Sequence, residues 1–263
     1  MKLFAIFGDP VAHSRSPLMH NSVFKHLNYK ACYTRVHLAD GSKLKETFFS
    51  LGLSGANITV PHKEAAYEAC DEVRGFAKKV GVVNTIVNEN GKLIGYNTDA
   101  DGFMFAIKEF GTIRNILVIG AGGTAKALCA RFIEDNIKVT VLNRSQSRLV
   151  YFKELGCECF TWDNFTIGEY DLVVNTTSAG LKDEDLPAPL ELIDKILDNS
   201  SFAADAIYGK VTPFLQLCKN KNITCKDGAD MLLAQGILAN ELMVKNELKT
   251  EDIKNYMSKS FEL

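Results

Sequence analysis

Short apolar runs closed by turn residues alternate with amphipathic stretches along the chain. "LFAIF" (residues 3–7) runs into Gly8-Asp9-Pro10 and predicts a buried strand. In "SRSPLMHNSVFKHLN", Ser16 stands as a helix N-cap and Pro17 suits the first helical position, while Leu18, Val23, Phe24 and Leu27 share one face. "ACYTRVHL" predicts a strand, "SKLKETFFSLG" a helix closed by Gly52, and "GANITV" another strand, with "HKEAAYEAC" and "VRGFAKKV" helical. Such alternation predicts an α/β unit with mostly parallel strands.

The pattern then changes. "VVNTIVNENGKLIGYNT" holds two β-rich runs around Asn90-Gly91, a strong hairpin signal. Beyond Asp99, "GFMFAIKEFG" is helical and "NILVIG" opens a second α/β series, continued by "IKVTVLN", "CECFTW", "YDLVVNTT" and "SFAADAIY". "ADMLLAQGILANELMV" and a charged closing helix complete the chain. The expected architecture is two α/β domains. Residues 1–98 with 229–263 form one, with a mainly parallel sheet, and residues 99–228 form the other, with the active-site cleft between them.

Composition narrows the function classes. At 263 residues and 46% hydrophobic positions the chain can bury two real cores. A formal net charge of -2 offers no electrostatic case for nucleic acid or an anionic membrane surface. No apolar run has the length of a membrane span, and the start carries no signal-peptide cleavage pattern. The seven cysteines include no C-x-x-C, and Cys157-Glu-Cys159 has no histidine nearby to complete a metal site. No metal is expected, and the cysteines read as small buried hydrophobes of a cytoplasmic protein.

The candidate chemistry begins in mid-chain. Gly120-Ala121-Gly122-Gly123-Thr124-Ala125 fits G-x-G-x-x-A between a strand and a helix. Glycines there let the backbone turn tightly and approach a pyrophosphate, which rests on the N–H groups of the helix start. A tight strand–helix turn with no ligand is the other reading of the same residues. The next strand ends in Asn143-Arg144-Ser145-Gln146-Ser147-Arg148, where an NAD site usually carries an acidic residue. Asn143, Ser145, Arg144 and Arg148 suit a 2′-phosphate instead, so NADP is expected over NAD.

The first half carries polar groups in apolar surroundings. Ser14 and Ser16 in "AHSRSP" suit a carboxylate through hydroxyl and backbone N–H donors, although capping by Ser16 alone would explain one of them. "NITVPHKEAA" puts Asn57, Thr59 and Lys63 at a strand end and helix start. A lysine in a first helical turn opposes the helix dipole, so it either reaches solvent or has a specific partner. Asn84 and Asp99 stand near the hairpin, and Lys63 with Asp99 forms a candidate proton-transfer pair.

The motifs "FGDPVAHSRSPLMHN", "GANITVPHKEAA", "GVVNTI", "GYNTDADG", "VIGAGGTAKA", "LNRSQSR", "VNTTSAG", "AIYGKVTPFL" and "DGADMLLAQG" run in this order over nearly the whole chain. Together they resemble the shikimate dehydrogenases. The resemblance implies NADPH-dependent reduction of 3-dehydroshikimate to shikimate, on the route to aromatic amino acids. It implies a substrate domain followed by a Rossmann-type NADP domain, and Lys63 and Asp99 as the catalytic pair. Ser14 and Ser16 match positions that bind the substrate carboxylate, and Thr59, Asn84 and Gln235 match other substrate contacts. Gly120, Gly122, Gly123 and Ala125 match the phosphate loop, and Asn143, Arg144, Ser145 and Arg148 the NADP-selecting turn. Thr177, Ser178, Ile207, Tyr208 and Gly228 resemble positions on the nicotinamide side or its substrate contact. The expected partner is a small molecule, with the enzyme a monomer or homodimer. Asp230 departs from the family, which favours a small residue there, and is expected to cap the helix starting at Met231. Three rivals are an NAD-dependent quinate/shikimate dehydrogenase, a methyltransferase and a non-catalytic NADP sensor. The Asn143-Arg144 turn opposes the first. The missing acid after the second strand opposes the methyltransferase, and a sensor need not retain both Lys63 and Asp99.

Overall fold

The computed structural model describes residues 1–261. The chain divides into two compact units, Met1–Gly102 with the C-terminal segment from Leu233, and Phe103–Leu232.

The first unit is built on a six-stranded sheet of order β2-β1-β3-β5-β6-β4. Its strands are β1 (Lys2–Gly8), β2 (Ala31–His37), β3 (Gly55–Ile58), β4 (Glu72–Val73), β5 (Thr85–Glu89) and β6 (Lys92–Tyr96). β1 runs parallel to β2 and β3, whereas β5 is antiparallel to both β3 and β6. The β5–β6 turn at Asn90-Gly91 takes positive φ at both residues (54° and 82°), which matches the twist of the flanking strands. Connecting helices are α1 (Ser16–His26), α2 (Leu44–Ser50), α3 (Lys63–Ala69) and α4 (Phe76–Val80). From Leu3 to Phe7 β1 is apolar because both faces are covered. Ala5 and Phe7 pack with Leu44, Phe48, Ile58 and Ile86, while Phe4 meets Phe24 of α1.

The second unit is a fully parallel six-stranded sheet of order β12-β11-β10-β7-β8-β9. Its strands are β7 (Asn115–Ile119), β8 (Lys138–Leu142), β9 (Glu158–Phe160), β10 (Tyr170–Asn175), β11 (Ser200–Asp205) and β12 (Thr224–Lys226). α5 (Asp99–Ile107) leads into it, and α6 (Gly123–Glu134), α7 (Val150–Glu154), α8 (Leu190–Asp198) and α9 (Pro213–Asn220) connect its strands. Alternate residues of β7 feed two cores, Ile116 and Val118 with α6 on one face, Leu117 and Ile119 with α8 on the other. Strand order reverses between β7 and β10, and the turns after these two strands stand at that switch point. α10 (Ala229–Met243) and α11 (Thr250–Lys259) follow. α11 belongs to the first unit, where Ser22 Oγ of α1 donates to Tyr256 O at 2.9 Å and His26 stacks on the Tyr256 ring.

Local readings need three corrections. α1 begins at Ser16 with Arg15 as N-cap, and the Ser14 hydroxyl, not Ser16, accepts the free Ser16 N–H at 3.3 Å. "VRGFAKKV" is not one helix: Val73 pairs with Gly95 in β4, and Gly75 at φ +58° delays the helix to Phe76. α10 starts at Ala229, so Asp230 lies inside its first turn.

One buried titratable group tests the first core. His20 of α1 is 1% exposed, stacked on the Tyr33 ring at 4.3 Å, with Asn240 Nδ2 donating to its Nδ1 at 2.8 Å. Burial pushes its pKa down to about 3, so the folded protein holds it neutral. The unfolded chain takes up a proton below its ordinary 6.5 and the folded one does not, so stability falls as pH drops from 6.5 toward 3. Urea unfolding near pH 5 should therefore show about 2 kcal/mol less stability from this group than at neutral pH. His20→Gln should flatten that part of the slope; an unchanged slope would refute the assignment.

Candidate active site

Between β3 and α3 the chain turns through Thr59, a cis Val60-Pro61 peptide and His62. The buried His62 ring lies on Leu38 O, and its backbone N–H donates to Thr59 O at 3.0 Å, so the helix starts at Lys63. Lys63 O in turn accepts from Val83 N at 2.9 Å, which pins that first turn to the segment leading into β5. Asp99 opens α5, where Asn97 Oδ1 accepts its N–H at 3.0 Å and a carboxylate suits the helix dipole.

These two starts meet. Lys63 Nζ donates to Asp99 Oδ2 at 2.6 Å, with side chains only 12% and 8% exposed. The lysine that opposes its own helix dipole is thus compensated by a specific carboxylate rather than by solvent. Asn84 Nδ2 donates to the other carboxylate oxygen at 2.8 Å and to Thr98 Oγ1 at 2.9 Å, while Asn84 Oδ1 accepts from Thr98 N at 2.9 Å. A desolvated ammonium carries three hydrogens, and this arrangement aims one of them at Asp99. It can offer another to an oxygen on which negative charge develops.

Ser14 and Ser16 form their own buried pair, the hydroxyls 3.3 Å apart. Arg35 Nε donates to Ser14 O at 3.0 Å and fixes the backbone between β1 and α1. Thr59 is half-buried at the end of β3, packed so close to Gly8 that a Cβ there would lie 2.4 Å from Thr59 Cγ2. Gln235 is half-buried in α10.

In the second unit, two glycines of the loop after β7 serve different ends. Gly120 has φ +109°, and a Cβ would lie 2.7 Å from Thr176 Oγ1, so the fold itself requires glycine. Gly122 has an ordinary φ of −93° and open space around a Cβ, so the fold does not. Among the described residues no side chain caps α6 at Gly122, and the first N–H groups of a helix have no intrahelical acceptors. Bare glycine in front of an uncapped helix start fits the close approach of a phosphate. Ala121 and Ala125 are buried, Gly123 and Thr124 half-buried. After β8, Asn143 Nδ2 donates to Ser145 O at 2.9 Å and folds the turn that exposes Arg144 and Arg148.

Asn143, Arg144, Thr177 and Ser178 share a cavity of about 520 Å³ with Trp162, Asp183 and Leu186. The Trp162 indole nitrogen is buried without a hydrogen-bond partner among the described residues. Thr177 is shaped by Asn175, whose Oδ1 accepts from Thr177 N and Oγ1 at 3.0 and 2.8 Å. On the neighbouring strand, Asp205 Oδ1 accepts from Ile207 N at 2.9 Å and Oδ2 from the Thr212 hydroxyl at 2.7 Å. Burial pushes the Asp205 carboxyl up, and those two hydrogen bonds oppose the shift. Ile207 O accepts from Gly228 N at 2.9 Å, where a Cβ would collide with Ala206 O at 2.4 Å. Tyr208 is half-buried in the same segment. Asp230 does not cap α10. Its carboxylate accepts from Lys226 Nζ at 2.6 Å, and Asp227 Oδ1 takes the Ala229 N–H instead.

Sequence reasoning did not single out Tyr33, Thr85, Thr98, Trp162, Asn175 or Asp205. Polar residues at the ends of apolar strands, such as Asn175 and Asp205, which face each other in register, were the available signal.

Residues 6–86 match the family model described as the shikimate dehydrogenase substrate binding domain. The chain is 43% identical over 260 residues to the shikimate dehydrogenase (NADP(+)) of Helicobacter hepaticus, covering 98% of this chain and 97% of that one. Among solved structures, the shikimate dehydrogenase of Aquifex aeolicus superposes with a TM-score of 0.85 at 33% identity over 97% of both chains. The Thermus thermophilus shikimate 5-dehydrogenase in complex with NADP(H) and shikimate gives 0.81 at 32% identity, covering 99% of this chain and 100% of that one.

The two loop glycines should separate on substitution. Gly120→Ala should cost roughly 1–3 kcal/mol or more of stability, from strained φ and overlap. Gly122→Ala should melt like the parent yet bind a dinucleotide at least about tenfold more weakly. Calorimetry with thermal melts checks both, and full affinity in Gly122→Ala would contradict the phosphate-cradle reading.

Proposed function

This chain belongs to the shikimate dehydrogenase family, and from that membership we propose how its own residues carry the NADPH-dependent, reversible reduction of 3-dehydroshikimate to shikimate. The observation that carries the reading is the buried Lys63–Asp99 contact of 2.6 Å. When bound, NADPH supplies the hydride to the ketone carbon. Lys63 Nζ donates a hydrogen bond and then a proton to the ketone oxygen as charge develops there. In the reverse direction the neutral amine takes the proton of the same hydroxyl. Asp99 Oδ2 holds Nζ in place, and the carboxylate also takes a substrate hydroxyl. Asn84 keeps Asp99 from rotating away, with its two amide hydrogens given to Asp99 and Thr98. Ser14 and Ser16 receive the substrate carboxylate, with Thr59, Gln235 and Tyr208 as further ring contacts.

The cofactor's pyrophosphate is assigned to the loop Gly120 to Ala125, and its 2′-phosphate to Asn143, Arg144, Ser145 and Arg148. Both arginines are exposed, and a guanidinium matches a phosphate with paired charge-assisted hydrogen bonds. Thr177, Ser178, Ile207 and Gly228 line the nicotinamide side. Among the described residues no helix is long and apolar enough to cross a membrane, and the seven cysteines are unpaired thiols. These fit a cytoplasmic enzyme, acting as a monomer or homodimer.

A spectrophotometric assay of shikimate-dependent NADP reduction tests the whole reading. Lys63→Ala should lower kcat by about 10²–10⁴-fold, with a much smaller change in KM for shikimate; near-normal turnover would remove Lys63 from the mechanism. Arg144→Ala should raise KM for NADPH by roughly 10–100-fold while leaving activity with NADH little changed. An equal loss with both cofactors would place Arg144 elsewhere than on the 2′-phosphate.

A further inference from the structure

The Lys63–Asp99 pair does not stand alone in the first sheet. Tyr33 on β2, Asn57 on β3, Thr85 on β5 and Asn84 beside it are all nearly or fully buried. They form one continuous line of hydrogen bonds. Tyr33 Oη donates to Asn57 Oδ1 at 2.7 Å, reaching across the intervening β1. Asn57 Nδ2 donates to Thr85 Oγ1 at 3.1 Å, on the residue paired with it across the antiparallel β3–β5 ladder. Thr85 Oγ1 donates to Asn84 Oδ1 at 3.0 Å, and Asn84 Nδ2 donates to Asp99 Oδ1 at 2.8 Å.

We propose that Tyr33 and Thr85 are positioning residues for the reaction, setting through this line the direction in which Asn84 presents its amide to Asp99. The inference rests on the reading of Lys63 and Asp99 as the catalytic pair. A primary amide can be turned end for end with almost no change of shape, so something must choose its polarity. At Asn57 the choice is made by the Asn84 backbone oxygen, which can only accept and takes a hydrogen from Nδ2 at 3.3 Å, leaving Oδ1 to the tyrosine hydroxyl. That also turns Nδ2 toward Thr85. A threonine hydroxyl has a single hydrogen, and with Asn57 donating to its oxygen that hydrogen goes to Asn84 Oδ1. Thr98 N reinforces the same orientation. Asn84 Nδ2 is then left facing the carboxylate; reversed, it would set a carbonyl oxygen against a carboxylate oxygen.

All the donors in the line point the same way, toward Asp99, and bonds so ordered polarise one another. The far end is rigid. Tyr33 is clamped by Asn21, which accepts from Tyr33 N at 2.9 Å and donates to Tyr33 O at 2.8 Å, and by its stack on neutral His20. Every member of the line belongs to the first unit and every candidate cofactor residue to the second, so its loss should act on turnover and leave KM for NADP alone.

The test compares Thr85→Val, Thr85→Ser, Tyr33→Phe and the Tyr33→Phe/Thr85→Val double variant with the parent and with Lys63→Ala. Steady-state kinetics are measured well below each melting temperature. Thr85→Val should lower kcat about five- to tenfold with KM for NADP unchanged, and Thr85→Ser should restore it to within twofold. Tyr33→Phe should lower kcat in the same direction, and the double variant should be no worse than Thr85→Val, because both break one line. If Thr85→Val does not fold, Tyr33→Phe decides by the same criterion. Parent-like kcat in Thr85→Val or Tyr33→Phe, or failure of Thr85→Ser to rescue, would overturn the proposal. Should those variants be normal while Lys63→Ala is inactive, only the positioning role falls. Should Lys63→Ala itself turn over normally, the catalytic reading falls, and this inference with it.

Discussion

Burying an ammonium against a carboxylate is costly unless every remaining polar atom is held, and the first unit is organised around meeting that cost. Removing two charges from water costs several kcal/mol per ion even after relaxation, and their attraction repays it only with good geometry and further hydrogen bonds. The 2.6 Å contact of Lys63 with Asp99 supplies the geometry, and Asn84, Asn97 and Thr98 supply the hydrogen bonds. The sheet order follows from the same need. Inserting the antiparallel β5–β6 hairpin beside β3 brings Asn84, Thr98 and Asp99 to the end of the sheet from which α3 starts. A purely parallel sheet would have sent those residues through a crossover to a more distant strand.

The second unit uses polar strand ends in a comparable way. Asn175 and Asp205 stand side by side at the ends of β10 and β11, each folding the loop that follows it. Neither reaches outward. Each spends its side-chain oxygens on one backbone N–H and one threonine hydroxyl of the loop that follows, so Thr177 and Ile207 are held by buried anchors rather than by their own contacts. In the second unit the loop residues that would meet a ligand thus rest on a buried amide and a buried carboxylate that would not.

The strand–helix alternation, the Asn90-Gly91 hairpin and the glycine loop were legible in the sequence because each is written within a few neighbouring residues. The closeness of Lys63 and Asp99 was not, since 36 positions separate them: their chemistry made them a candidate pair, and the family resemblance gave that pair a role, but neither placed them in contact. The departures are local competitions. Ser16 looked like a helix cap, but Ser14 takes its N–H and draws Ser16 into the helix. Asp230 looked like a cap until Lys226, one turn earlier, claimed its carboxylate. Tyr33 and Thr85 carried no signal at all. A tyrosine in a strand usually reports packing, and only a structure shows its hydroxyl reaching across β1 to an asparagine.

The interrupted layout of the first unit has a consequence for synthesis. His20, Ser22 and Arg15 rest on Asn240, Tyr256 and Ser260, partners made more than 200 positions later. At the usual pace of about 5–20 residues per second, the ribosome needs on the order of ten seconds to produce the intervening unit. For that interval the N-terminal sheet exists without the helices that close over α1, while the second unit, continuous in the chain, can complete itself. The half that holds Lys63 and Asp99 is thus the first to be made and the last to be finished.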